Sequence, residues 1–217
     1  MKVYFLAGIA ADGRLFKHIK LPPGYEAIFI NWIKPLENEK IDEYAKRLTY
    51  NINTEEKFIL VGLSLGGIVA TEIAKLHQPE ATIILGSVTT SNQLPPYYKW
   101  LHKLKVNKII PGSFYKWASG IKHRLTKESK EDKALLINMI RNADPDFIFW
   151  GTNAVPEWNN SISPSPLYHI HGTRDEIFPI KFVKPTHVIK KGGHLLALSH
   201  YNEVNIILRD ILERQIK

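Results

Sequence analysis

Three short stretches of this sequence carry residues that could do chemistry together. The first is Gly62-Leu63-Ser64-Leu65-Gly66-Gly67. A serine hydroxyl is a weak nucleophile until a base takes its proton and a third group orients that base. The other two stretches supply such groups. His194 stands in Lys190-Lys191-Gly192-Gly193-His194-Leu195, and Asp175 in His171-Gly172-Thr173-Arg174-Asp175-Glu176. In chain order these are serine, acid and histidine, the order found where a nucleophile is raised on a strand-to-helix turn. Glu176 is the near competitor of Asp175 as the orienting acid, and Asp175 could instead cap the turn that follows it.

Such residues act only if the chain positions them. Lys57–Val61 is a short apolar run, β-branched and aromatic enough for a buried strand leading into Ser64. Ile68–Leu76 follows with apolar residues at 68/69, 73 and 76, which is helical spacing. A strand that reverses into a helix within a few residues strains the backbone at its apex. It also leaves no room for side chains two positions either side. Gly62 and Gly66 are therefore steric necessities, and Ser64 is expected to project into solvent at the carboxyl end of a sheet. Helix N-terminal amides and the positive dipole end would lie beside its hydroxyl.

The same alternation recurs along the chain. Lys2–Ala7, Tyr25–Trp32, Ala81–Gly86, Pro166–His171 and Thr186–Ile189 read as further strands. Arg14–Lys20 is expected to form a short helix. Ile41, Tyr44/Ala45, Leu48 and Ile52 share one helical face, with Asp42 and Glu43 in the first turn. A last helix carries Val204, Ile207, Leu208 and Ile211 on one face, with Ser199 as its N-cap and His200 in its first turn. Strands alternating with helices predict a parallel sheet with right-handed crossovers.

After Ser87 the rhythm breaks. Residues 91–163 hold no convincing strand, but Ser129 with Asp132 and Asp144-Pro145 are helix starts. The predicted organisation is a core over 1–90, a helical cap insertion over 91–163, and the rest of the core over 164–217. Trp100, Trp117, Trp150 and Trp158 lie in the insertion, near Tyr97, Tyr98, Phe114 and Tyr115. They could line an acyl-binding cleft. Burying enough area to hold a small helical unit is the main expectation. Residues 91–141 carry eleven Lys and Arg against three acids, a surplus equal to the whole chain's net charge of +8. No nucleic-acid recognition motif accompanies that charge, so a solvated helical face, or a field that attracts anionic substrates, is expected instead.

The absence of cysteine from the 217 residues excludes disulfides, thiolate metal sites and a cysteine nucleophile. With no apolar run long enough to span a bilayer, a cytoplasmic protein without membrane contact is expected. Lys2 followed by Val3–Ala11 superficially resembles a leader sequence, but the run is short and a first strand accounts for it. His169 and His171 alternate on one strand face. Buried strand histidines are commoner than ligands, and no metal is expected there. Arg14 is expected as a solvated surface residue.

Over residues 1–90 and 164–217 the chain resembles proteins of the α/β-hydrolase fold. Gly62–Gly67 matches that family's nucleophile elbow, His171–Asp175 its acid loop, and Gly192-Gly193-His194 its histidine loop. The resemblance implies a minimal, mostly parallel sheet of about six strands flanked by helices, with a helical cap insertion. The chain begins at the family's third strand, so the usual antiparallel hairpin is expected to be missing. Some members carry the acid one strand earlier, but Gly86-Ser87-Val88-Thr89-Thr90 holds no carboxylate, which favours Asp175. The capped arrangement is similar to small carboxylesterases that act on acyl-carrier methyl esters. It implies Ser64 as nucleophile, His194 as base, Asp175 as orienting acid, and the backbone N–H groups of Leu65 and Ile9 as the oxyanion hole. Relatives usually begin the first loop with His-Gly, whereas here it reads Ala7-Gly8-Ile9. The implied reaction is hydrolysis of an ester or thioester through an acyl-enzyme, without cofactor. The substrate would be a small acyl compound, with anionic or carrier-linked acyl groups among the candidates. Cleavage of a C–C bond, a lyase step, or ligand binding without turnover are the alternatives.

Overall fold

A computed structural model of the chain describes residues 1–98 and 129–215. Six strands form one sheet: Lys2–Leu6 (β1), Glu26–Phe29 (β2), Phe58–Leu63 (β3), Ala81–Leu85 (β4), Leu167–Gly172 (β5) and His187–Ile189 (β6). Their order is β2-β1-β3-β4-β5-β6, and every pairing is parallel. The inner strands are buried on both faces, which is why they read as continuous apolar runs rather than alternating ones. Val3, Phe5, Ile59, Val61, Ile83 and Leu85 pack on one side, and Tyr4, Leu6, Phe58 and Leu60 on the other. Helices Ile41–Leu48 (α1) and Leu65–His77 (α2) cover the second side. From β1 the chain moves outward to β2, then returns past β1 to β3. The carboxyl ends of β1 and β3 therefore flank the point where strand order reverses, the usual place for a ligand crevice in an open α/β sheet.

Among the described residues between β4 and β5, two α-helices stand: Lys130–Asn142 (α3) and Pro145–Glu157 (α4). Both start as the sequence predicts. Ser129 Oγ accepts from the Asp132 amide at 3.0 Å, and Asp144 Oδ1 from the Asp146 amide at 2.8 Å. Their apolar faces pack onto the core: Leu136, Met139 and Ile140 with Ala7 and Ala10, and Phe147 and Trp150 against Tyr44. Trp150 Nε1 donates to the Glu39 carbonyl at 2.7 Å, and Trp158 Nε1 to Glu72 Oε1 at 2.8 Å. These two tryptophans thus bury area and anchor the insertion. Trp100, Trp117, Phe114 and Tyr115, with most of the basic stretch, lie outside the described residues.

A polar clamp closes the base of the insertion. Asn160 Nδ2 donates to the Thr89 carbonyl at 2.7 Å, and the Ser91 amide donates to the Asn160 carbonyl at 2.8 Å. Lys75 Nζ bridges Glu72 Oε2 at 2.6 Å and Asn160 Oδ1 at 3.0 Å. At the other end, buried Asp132 pairs with Lys17 at 2.6 Å and His18 at 3.0 Å.

Some local expectations are corrected. The helix foreseen over Arg14–Lys20 is a single 3-10 turn, Gly13–Phe16, because Leu15 and Phe16 turn straight into the core. Arg14 is exposed yet not simply solvated, since it bonds Asp12 and, at 3.1 Å, Asn138 of α3. Ser199 is not the last helix's N-cap. It ends a short helix, Leu196–Ser199 (α5), whose Leu196, Ala197 and Leu198 are buried, and its hydroxyl donates to the Leu195 carbonyl. His200 is the N-cap of the final helix, Tyr201–Asp210 (α6), which with α5 covers the first side of the sheet. Among the described residues no helix is long and apolar enough to cross a membrane.

Trp158→Phe keeps an aromatic ring at the site, though a smaller one, and leaves buried Glu72 without one donor. A hydrogen bond to a charged group contributes roughly 1.5–3 kcal/mol, so urea unfolding should show a loss of that size. A change below about 0.5 kcal/mol, the range of an inert surface substitution, would mean the N–H does not anchor the insertion.

Candidate active site

The turn after β3 is as tight as its glycines demand. A β-carbon on Gly62 would collide with the Gly66 carbonyl, and one on Gly66 with the carbonyl oxygens of Leu6 and Ala7. Between them Ser64 adopts φ 57 and ψ −121, a left-handed backbone for a residue with a side chain. Its neighbours hold that conformation: the Ser64 amide donates to the Leu85 carbonyl at 3.1 Å, and Ser87 Oγ donates to the Ser64 carbonyl at 2.7 Å. One expectation is corrected here. Ser64 is 8% exposed rather than projecting into solvent, because the first loop closes over it: a β-carbon on Gly8 would sit 3.3 Å from Ser64 Cβ.

Asp175 and His194 meet. His194 Nδ1 lies 2.9 Å from Asp175 Oδ2 and 3.1 Å from Oδ1, so the carboxylate accepts its N–H. Oδ1 also accepts the amides of Ile177 and Phe178, each at 2.9 Å. Asp175 thus caps the following turn and faces the imidazole at once. Glu176, its competitor, is exposed. Burial works to raise the Asp175 pKa, but the adjacent His194, the Phe178 amide and His171 outweigh it and hold the carboxyl below its ordinary value. Gly86, with φ 49, joins this pair to the elbow. It follows Leu85, whose carbonyl holds Ser64, and its own Cβ position lies 3.0 Å from Asp175 Oδ2 and 3.4 Å from His194 Nδ1. Only glycine lets the imidazole and carboxylate come so near the end of β4.

The acid and histidine loops are zipped together. The Arg174 amide donates to the Gly192 carbonyl at 2.8 Å, and the Lys191 amide to Thr173 Oγ1 at 2.8 Å. A β-carbon on Gly172 would collide with Gly192, whereas Gly193 has open space around it.

A family model described as "Alpha/beta hydrolase family" matches residues 23–205. The chain belongs to that family. No curated protein matches it in sequence. Similar folds occur in an esterase from Thermogutta terrifontis solved with malate bound (18% identity, TM-score 0.76, covering 100% of this chain and 91% of that one). An epoxide hydrolase from Bacillus megaterium is similar too (13%, TM-score 0.73, 98% and 93%), as is MenH from S. aureus (17%, TM-score 0.74, 99% and 94%). At these identities the likeness is one of fold. The family assignment agrees with the six-stranded parallel sheet and with the positions of the three loops.

Two further features of this family member escape sequence reasoning. Leu65 opens α2, and Ile9 stands in the first loop across from it. A β-carbon on Gly151 of α4 would lie 2.8 Å from Ile9 Cδ1 and 3.3 Å from Leu65 Cδ2, so the insertion presses on both residues. A cleft of about 230 Å³ opens one residue beyond Ile9, between Ala10–Asp12, Asn31–Lys34 and Met139 to Phe147. Nothing local to Gly151 signals such a role, because its contacts are more than eighty residues away in sequence. Among the described residues no group of three or more His, Asp or Glu is arranged to hold a metal ion.

The two loop glycines should separate cleanly. Gly193→Ala should change stability by less than about 0.5 kcal/mol, and Gly192→Ala, which meets Leu196, Ile189 and Gly172, should cost about 1–3 kcal/mol. Equal effects in thermal unfolding would show that the zipper does not depend on close approach at Gly192.

Proposed function

We propose that the chain is a serine hydrolase of carboxylic esters or thioesters, with Ser64 as nucleophile, His194 as base and Asp175 as orienting acid. The observation that carries this reading is the buried Asp175 carboxylate on His194 Nδ1 at 2.9 Å, one residue from the carbonyl that fixes Ser64. A carboxylate on Nδ1 leaves Nε2 free to take the serine proton, which is the tautomer a general base needs. Ser64 Oγ attacks the acyl carbon as its proton passes to Nε2. The Leu65 and Ile9 amides stabilise the oxyanion. Collapse expels an alcohol or thiol, which takes the proton back from His194, and water then releases the acid by the same two steps.

The esterase among the structural neighbours supports the ester class. With a net charge of +8, anionic and carrier-linked acyl groups fit the proposal. The domain reading that accompanies it is a core over 1–90 and 164–217, with residues 91–163 as the cap that shapes access.

A fluorophosphonate should label the protein stoichiometrically, with labelling and ester turnover lost in Ser64→Ala. Asp175→Asn should lower kcat by about 10⁴-fold and exposed Glu176→Gln should change it little. Undiminished turnover in Ser64→Ala would end the serine-hydrolase reading, and the reverse pattern for the two acids would reassign the carboxylate.

A further inference from the structure

Two buried histidines stand directly behind Asp175, and the mechanism above does not use them. His169 and His171 point from the same face of β5 and are 2% and 0% exposed. Their rings meet edge to face, with His169 Nε2 3.0 Å from His171 Nδ1. His171 Nε2 lies 2.7 Å from the Phe178 carbonyl and 3.6 Å from Asp175 Oδ2. The partners fix the protons. A carbonyl only accepts, so His171 Nε2 carries the hydrogen. With His171 neutral, its Nδ1 is then a lone pair, and of the two acceptors facing His169, the Ser87 backbone and this nitrogen, the one 3.0 Å from Nε2 takes the hydrogen in the arrangement that pairs the rings. Each ring is thereby a neutral N–H donor in a chain that runs from β5 to the acid loop. Burial keeps it neutral: His169 is pushed down to about 3 by burial and by His171, and burial also lowers His171.

A polar pair this deep is costly unless it holds something in place, because an apolar pair would fill the same strand face more cheaply. We propose that His171, oriented by His169, is a positioning residue that locks the Phe178 carbonyl and backs Asp175 Oδ2, so that the carboxylate stays turned toward His194. This rests on the triad reading above and deepens it. Oδ1 is already fixed by the Ile177 and Phe178 amides, and those amides belong to the segment whose carbonyl His171 grips. Oδ2 has His194 Nδ1 at 2.9 Å on one side, while on the other His171 Nε2, whose hydrogen goes to the Phe178 carbonyl, stands 3.6 Å away as a packed dipole rather than a hydrogen-bond donor. Among the described residues the other titratable groups facing Asp175 are Tyr97 and Tyr98, whose hydroxyls donate to the Ile177 carbonyl at 3.4 and 3.3 Å. Both phenols are held above their ordinary pKa, chiefly by burial, so neither changes charge in the acid range. Acid-side effects at Asp175 therefore report on the histidines.

His171→Leu removes the N–H and His171→Gln restores a donor of similar reach. His169→Leu leaves His171 in place but without its orienting partner. Partners that orient a functional group in other sites are worth about 10–100-fold, so His171→Leu should lower kcat about tenfold with KM little changed. Losing the buried N–H dipole beside Oδ2, and with it the grip on the segment whose amides hold Oδ1, destabilises the ionised carboxylate. The acid limb of the kcat/KM profile should then move to higher pH, by about half a unit. His169→Leu should give a smaller shift of the same sign, and His171→Gln should bring both readouts back. A second arm needs no turnover: the downfield imidazole N–H resonance bridging His194 and Asp175, assigned by its loss in His194→Gln, should move in His171→Leu and recover in His171→Gln. A wild type that neither turns over esters nor reacts with fluorophosphonate would end the hydrolase reading and leave this arm to decide the positioning role. An unmoved resonance in folded His171→Leu would overturn the proposal, as would an unchanged acid limb with unchanged kcat.

Discussion

The close approach of backbone at the end of β3 is the constraint on which the rest of the structure depends. Gly62 and Gly66 touch one another and the carbonyls of Leu6 and Ala7, so the elbow and the first loop form one packed unit. A residue held at φ 57 stores of order 1–3 kcal/mol of strain, which persists only if the surroundings over-determine it. Here they do. The Ser64 amide is spent on Leu85, its carbonyl receives Ser87 Oγ, and the Gly67 amide, at 2.9 Å, turns back on that same carbonyl to start α2. This happens where strand order reverses, which is where an open α/β sheet leaves room for a ligand.

The other half of the site is built by a different device. Asp175 and His194 come from loops at the ends of β5 and β6, and β6, a three-residue edge strand, would alone position its loop poorly. Three amides or carbonyls of one loop bond the other, and glycines at 172 and 192 let the two backbones touch. Gly86 then lets this paired unit approach β4. The arrangement puts a buried carboxylate, with two amides and an imidazole on it, where little water screens it. An ionised group in that setting needs every one of those partners.

Much of this was legible in the sequence, and the remainder was not for identifiable reasons. Ser64, Asp175 and His194 announce themselves because glycine spacing marks backbone crowding, which is a local property. The strands announce themselves because burial on both faces makes them uniformly apolar. Asp175 and Glu176 could not be separated by pattern, since adjacent acids differ only in which one faces inward, and that is set by the turn over Ile177 and Phe178. Ser199 misled because a hydroxyl before a helix resembles a cap even when buried Leu196–Leu198 have already begun one. The pairing of His169 with His171 followed from strand alternation. Their partner on the Phe178 carbonyl did not, because it depends on how the acid loop folds back.

The insertion carries the least local information of any part of the chain. Its helices are held by tertiary contacts: Trp150 on the Glu39 carbonyl, Trp158 on Glu72, and Asn160 pinned at the point of departure. Each partner is distant in sequence, so no periodicity could reveal it. At Gly151 the same unit presses against Ile9 and Leu65, the residues whose amides are proposed to bind the oxyanion. Enlarging residue 151 would push on Ile9 directly.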